Sequence, residues 1–154
     1  MNKWYLLNSL VLGYALGSFF TGAISLPSFF GLLGLLLVIF NWTRHAVFKT
    51  IRESSDRQQK IKFANLSKRI LPFHKWTGTA ALVFIMIHGA LMLNKYGLFL
   101  ANKKITSGLL AAIILICLVI SGWLRWYRTT PAKRYVHWGL GFLIFFFVLI
   151  HLLF

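Results

Sequence analysis

The sequence predicts an all-α integral membrane protein, a bundle of about five transmembrane helices. Three observations predict it. The 154 residues are 58% hydrophobic and 12% charged, where an average soluble domain carries about 25% charged residues. Several apolar runs reach or approach the roughly 20 residues that a helix needs to cross a bilayer. Lys and Arg collect in the gaps between those runs, and Glu53 and Asp56 are the only acids. A formal charge of +15 on a soluble protein would suggest nucleic acid. No nucleic-acid motif is present, and the placement of the charges makes topology in a lipid bilayer the better account.

The first run, 4–20, follows Lys3 in the manner of a signal peptide, with Gly22-Ala23 as a weak cleavage region. It reads instead as a retained span. Thr21 to Ser28, with Gly22 and Pro27, is a short turn. The second span is 28–43, Leu-rich. A polar segment follows over 44–71, holding Arg44, Lys49, Arg52, Arg57, Lys60, Lys62, Lys68 and Arg69. The positive-inside rule makes it a cytoplasmic loop. Its spaced apolar residues, Val47, Phe48, Ile51, Ile61, Phe63, Leu66 and Ile70, fit a basic amphipathic stretch on the membrane surface, a solvated loop facing anionic lipid, or a docking surface for an acidic redox partner. The remaining spans are 72–93, with Pro72 near the start where proline is tolerated, then 105–127 and 135–154. Counting crossings puts the N-terminus in the cytoplasm and the C-terminus outside, in a bacterial plasma membrane. The loop holding Arg128, Lys133 and Arg134 then also falls inside. The loop with Lys95, Lys103 and Lys104 falls outside, against the trend.

Four of the five histidines lie in two spans. His74 and His88 are 14 residues apart, and so are His137 and His151. Along an α-helix that is about 21 Å, with only ~40° of rotation between the rings, so each pair shares one face. One span separates the two histidine helices, which therefore run parallel and set His74 level with His137 and His88 level with His151. Ionisable groups at membrane depth are costly and point to function. Two neutral imidazoles per level are the ligand set of a six-coordinate haem, so the expected cofactors are two haem b groups, inner and outer. They would be non-covalent, because Cys117 is the only cysteine and no Cys-x-x-Cys-His exists. Gly78, Gly89, Gly139 and Gly141 would give the macrocycles room, or serve ordinary helix packing. Arg69, Lys75, Arg125, Arg128 and Arg134 are candidates for the inner propionates, or mark topology alone. Trp76, Trp138, Phe84 and the run 145–147 would flank the haems, or face core and lipid. His45 has no matched partner and reads as interfacial. The alternatives are one haem with two bystander histidines, and a Zn or Cu path, which the lack of carboxylates in the spans disfavours. A proton-coupled carrier would usually need an intramembrane carboxylate as well.

The order is a His-x13-His helix, a spacer helix, a short basic loop and a second His-x13-His helix, with the segment SGWLRWYRTTPAKRYVHWGLGFLIFFFVLIH over Ser121–His151. Over roughly 32–154 this resembles the ferric reductase-like transmembrane domain, the superfamily of NADPH oxidases, ferric reductases and the haem subunit of the periplasmic methionine sulfoxide reductase system. The resemblance implies that His74 and His137 ligate the inner haem and His88 and His151 the outer one. Family members commonly add a sixth helix and a cytosolic flavin and nicotinamide domain. No GxGxxG and no flavin or NAD(P)H site occur here. The expected function is transmembrane electron transfer from a cytosolic flavin-containing reductase to an extracytoplasmic acceptor such as ferric iron or oxygen, without a catalytic acid or base of its own. A quinone-reactive anchor subunit of a respiratory dehydrogenase is the second reading. A non-redox transporter or scaffold is the third. An oligomer is compatible with all three.

Overall fold

The structure is a computed structural model and describes residues 3–22 and 24–154. Five α-helices and no strand occur among the described residues: α1 (Lys3–Thr21), α2 (Leu26–Glu53), α3 (Arg57–Tyr96), α4 (Lys103–Tyr127) and α5 (Pro131–Leu153). The chain is an all-α membrane bundle. Helices α2 to α5 are each long and apolar enough to cross a bilayer. Helix α1, 19 residues long, lies against α2, where Asn8 Nδ2 donates to Thr43 Oγ1 at 3.3 Å.

Each break has a local cause. Between α1 and α2 the Ser25 hydroxyl accepts from the Ser28 N–H while the Ser28 hydroxyl accepts from the Ser25 N–H, a reciprocal cap with Pro27 in the first turn. Asp56 caps α3 through the Gln58 N–H, Asn102 caps α4 through the N–H groups of Lys104 and Ile105, and Thr130 caps α5 through the Lys133 N–H. Gly97 ends α3 at φ 72°, a conformation open to glycine without strain.

The segment 44–71 is not a loop. Helix α2 runs on to Glu53 and α3 begins at Arg57, leaving 54–56 as the turn of a helical hairpin. Lys, Arg, Gln and Glu are good helix formers, so helices driven by apolar spans continue into polar sequence until a capping residue stops them. Helix α3 therefore starts 15 residues before the expected 72, and Pro72 lies inside it rather than near its start. The proline forgoes the bond to the Lys68 carbonyl.

Helices α2 and α3 pack antiparallel, as do α4 and α5, while α4 also touches α3 and α1 also touches α2. Helices α3 and α5 do not pack along each other. Gly34 lets α3 approach α2, because a Cβ there would meet Ile85 and the Ala81 carbonyl. Two apolar clusters hold the bundle. One joins Val11 and Ala15 to Leu35, Ile39, Trp42 and Phe145. The other joins Ala111 and Leu115 to Ile144, with Leu82, Ile85 and Phe147 against them.

Candidate functional site: two levels of paired histidines

Helix α3 carries His74 and His88, and α5 carries His137 and His151. The four rings form two facing pairs. The His74 and His137 ring centroids are 6.3 Å apart with planes crossed at 83°. Those of His88 and His151 are 6.3 Å apart and crossed at 78°. Ala81 and Ile144, midway along each pair's interval, are buried at 1% and 3% exposure.

Three of the rings are held from behind. His88 Nδ1 lies 2.8 Å from the Pro27 carbonyl oxygen. His151 Nδ1 lies 3.1 Å from the Lys104 carbonyl oxygen and 3.2 Å from Ser107 Oγ. His137 Nδ1 lies 2.8 Å from Ser121 Oγ. A carbonyl can only accept. Each serine hydroxyl already donates its proton three residues back, Ser107 to Lys104 and Ser121 to Leu118. At His88 and His151 the imidazole therefore donates from Nδ1 to a carbonyl, which leaves Nε2 as the free lone pair there. A metal-binding histidine is oriented by such an outward bond. His74 differs: its Nδ1 is buried and has no partner.

The glycines that make room for these rings are on neighbouring helices. A Cβ on Gly31 of α2 would stand 2.9 Å from His88 Nδ1, one on Gly108 of α4 would stand 2.8 Å from His151 Cε1, and one on Gly122 would stand 3.2 Å from His137 Cε1. None of the glycines beside the histidines in sequence stands against a histidine ring. Gly78 faces Asn41 at 3.8 Å, Gly141 faces Trp42 at 3.5 Å, and Gly89 and Gly139 have nothing within 4 Å. Ser107, Gly108, Ser121 and Gly122 were legible in one respect: the dipeptide Ser-Gly occurs twice in α4 at the same 14-residue interval as the histidines it serves.

At the level of His74 and His137, Arg44 of α2 and Arg125 of α4 both act electrostatically on both rings, and each keeps a buried Nε without a partner. Arg125 was a sequence candidate. Arg44 was hidden in the segment read as a loop. Of the other candidate cations, Arg69, Arg128 and Arg134 are exposed. Lys75 Nζ is engaged with Trp126 at 4.0 Å and Trp123 at 4.2 Å. Aromatic side chains expected to flank cofactors are mostly in packing: Phe145 stacks on Trp42 at 4.7 Å, and Phe84 meets Phe30 at 6.0 Å. His45 is not simply interfacial. It sits among Trp4, Trp42, Trp138 and Phe142, with ring centroids 5.0 to 5.4 Å away, apart from both levels.

These residues fit a haem. A metal–imidazole bond is about 2.0–2.1 Å and a ring nitrogen lies roughly 1.1 Å from its ring centre, so two imidazoles on opposite sides of one metal set their centroids about 6.3 Å apart. Two guanidiniums with no acidic partner match the carboxylates of a porphyrin. No group of three or more potential metal-ligating side chains occurs among the described residues.

Fold and site together define a helical membrane protein with two stacked levels of facing histidines. No protein-family model matches the chain, and no curated protein or solved structure does either.

Proposed function

We propose that this protein is a di-haem cytochrome b that carries electrons across a membrane. The observation that carries the reading is the repeated geometry: two histidine pairs at 6.3 Å, with Nδ1 turned away to an acceptor on three of four rings. Edge-to-face aromatic pairs span the same separation, so distance alone does not choose. The tautomers favour ligation. A packed histidine pair gains by pointing an N–H at its neighbour, whereas His88 and His151 each point theirs outward at a carbonyl and keep the Nε2 lone pair for a metal.

In this reading His74 and His137 hold an inner haem, and His88 and His151 an outer one. Bound haem supplies one-electron chemistry at an iron with no open position. The protein's residues hold the rings in register, and Arg44 and Arg125 neutralise propionates at the inner level. A cytosolic flavoprotein is the donor and an extracytoplasmic oxidant, ferric iron or oxygen, the acceptor. The N-terminus is cytoplasmic and the C-terminus extracytoplasmic, which puts the basic hairpin of α2 and α3 on the donor side.

A quinone-reactive anchor subunit is the second reading. An open cavity of about 280 Å³ favours it, lined by Ser107, Leu110, Phe147, Ile150 and Phe154 at the α4–α5 end that carries His151. The test common to both is a dithionite-reduced minus oxidised spectrum of the purified protein, with a pyridine haemochrome count. Two b haems per chain are expected. Substituting His74 or His137 with Ala should remove one haem and His88 or His151 the other. A colourless protein after haem supplementation would move the reading to transport or scaffolding. Reduction of the purified protein by a short-chain quinol would favour the anchor subunit.

A further inference from the structure

We propose that the end of the bundle carrying His151 binds an anionic phospholipid, with an acyl chain in the cavity between α4 and α5 and the phosphate on Lys103 and Lys104. This goes beyond the haem reading and does not depend on it.

Two independent features point the same way. The first is charge. Lys95, Lys103 and Lys104 stand exposed at this end of the bundle. The acids Glu53 and Asp56 lie at the opposite end, around the turn between α2 and α3. Among the described residues the one ion pair is that of Lys49 with Glu53, also at the far end. Lys95 Nζ lies instead over the Tyr96 ring at 5.2 Å, and Lys103 Nζ over the Phe154 ring at 5.6 Å. On the orientation proposed above these lysines are extracytoplasmic. Membrane topology retains Lys and Arg on the inner side, so topology does not account for them.

The second feature is the loop between α3 and α4. Gly97 turns the chain out of α3 at φ 72°. Leu98, Phe99 and Leu100 follow at 64%, 63% and 60% exposure. Three large apolar side chains in a row are unfavourable in water and favourable at the boundary of headgroups and acyl chains. Thr106 Oγ1 donates to the Leu100 carbonyl at 2.6 Å and ties the loop to α4. The loop therefore lies in the lipid interface, and the lysines that flank it lie at headgroup depth.

Beside the loop is the cavity, about 280 Å³ and open. Leu110, Phe147, Ile150 and Phe154 give it apolar walls, and Lys103 belongs to the same lining. An anionic amphiphile matches both, its tail against the walls and its phosphate on the lysine. A bilayer supplies such a molecule at the depth where the loop lies. A neutral quinone would use the walls and leave Lys103 without a counter-charge. A soluble anion would use Lys103 and leave the walls bare. Ser107 joins this site to the histidines, since it lines the cavity and its Oγ lies 3.2 Å from His151 Nδ1.

The test is native mass spectrometry of the purified full chain, stripped of lipid in detergent and titrated with phosphatidylglycerol or with phosphatidylcholine of the same acyl chains. Phosphatidylglycerol should bind roughly 30-fold more tightly, from about fivefold for each of two lysines. Lys103→Gln and Lys104→Gln should each remove about fivefold of that preference, and the double variant should hold the two lipids alike. Leu110→Trp, which fills the cavity, should weaken both lipids. Lys133→Gln, at the other end of α5, should change neither. Equal binding of the two lipids by the unaltered chain, or a preference that survives the double lysine variant, would overturn the proposal. So would release of phosphatidylglycerol by inorganic phosphate, which would mark a soluble-anion site, or by a short-chain quinone, which would give the cavity to the quinone. If Leu110→Trp fails to fold, the lysine variants decide, because both side chains are exposed. The haem count does not enter, so a failure here leaves the conduit intact.

Discussion

Replacing Gly108 with alanine tests the site through a residue that touches no cofactor. A Cβ at this position would stand 2.8 Å from His151 Cε1 and 3.1 Å from its Nδ1. Carbon atoms in contact prefer about 3.5–4.0 Å, so the ring must retreat by several tenths of an ångström or more. It is held by the Lys104 carbonyl at 3.1 Å and Ser107 Oγ at 3.2 Å, and both bonds would be disturbed. Losing one or two hydrogen bonds costs about 0.5–1.5 kcal/mol each, and an off-rotamer ring adds about 0.5–1.5 kcal/mol. Against this stands the gain of about 1 kcal/mol in helix propensity for Gly→Ala. Net stability falls by roughly 0–3.5 kcal/mol on these terms, so the bundle survives, while the His88–His151 level is displaced by more than a ligand bond tolerates. Gly139→Ala is the control, since nothing lies within 4 Å of that position. The assay is the haem count with the reduced-minus-oxidised spectrum, beside thermal unfolding in detergent. Gly108→Ala should lose one of the two haems, the one also lost in His151→Ala, and Gly139→Ala should lose neither. If Gly108→Ala retained both haems with an unchanged spectrum, the ring positions argued above would be wrong.

Four further outcomes follow from particular contacts. Ser121→Ala removes the hydroxyl 2.8 Å from His137 Nδ1; a cost of about 0.5–1.5 kcal/mol should appear as faster haem loss from the His74 level in a transfer assay to apomyoglobin. Asn102→Ala removes the cap that accepts from Lys104 and Ile105, and should lower stability by about 0.5–2 kcal/mol, read by circular dichroism on heating. Phe145→Ala empties a position that is 8% exposed and stacked on Trp42 at 4.7 Å; a loss of about 3–5 kcal/mol should make it the most damaging of these substitutions in the same measurement. Lys49→Ala breaks the 3.6 Å pair with Glu53, whose side chains are 31% and 63% exposed, and unfolding should not move measurably because exposed pairs contribute little.

The fold class was legible because apolar length and basic punctuation are properties of the sequence taken a window at a time. The pairing of the histidines was legible for a related reason: equal intervals on two parallel helices fix relative depth without knowledge of the neighbours. What was not legible depended on neighbours. Gly78 and Gly141 were plausible because they stand one turn from a histidine on its own helix, yet the space a ring needs is set by the helix opposite, where Gly31, Gly108 and Gly122 lie. Arg44 was missed because polar composition over 44–71 reads as loop. Helical hydrogen bonds are satisfied within the helix, so a helix need not end where its apolar residues do, and α2 ends only at Glu53 with the turn 54–56 beyond. Arg44 thus lies within a continuous helix, its guanidinium over the Phe48 ring at 5.4 Å.

The interval of 14 residues recurs on three of the four helices that make the site. Fourteen residues are two heptads, and a heptad repeat keeps one seam of a helix facing its neighbours as the bundle supercoils. On α3 and α5 the seam reads His, then a buried midpoint, then His, with Ala81 and Ile144 at the midpoints. On α4 it reads Ser-Gly twice, antiparallel to α5, so that Ser121 meets His137 and Ser107 meets His151. A histidine on such a seam needs a partner across the gap and a small polar residue behind it, and α4 supplies the second at both levels. Helix α2 does the same for His88 with a carbonyl and a glycine, Pro27 and Gly31. Only His74 has no such support, and there α2 and α4 bring Arg44 and Arg125 instead. The two levels are therefore alike in spacing and unlike in what stands behind the rings, and the second property separates them chemically.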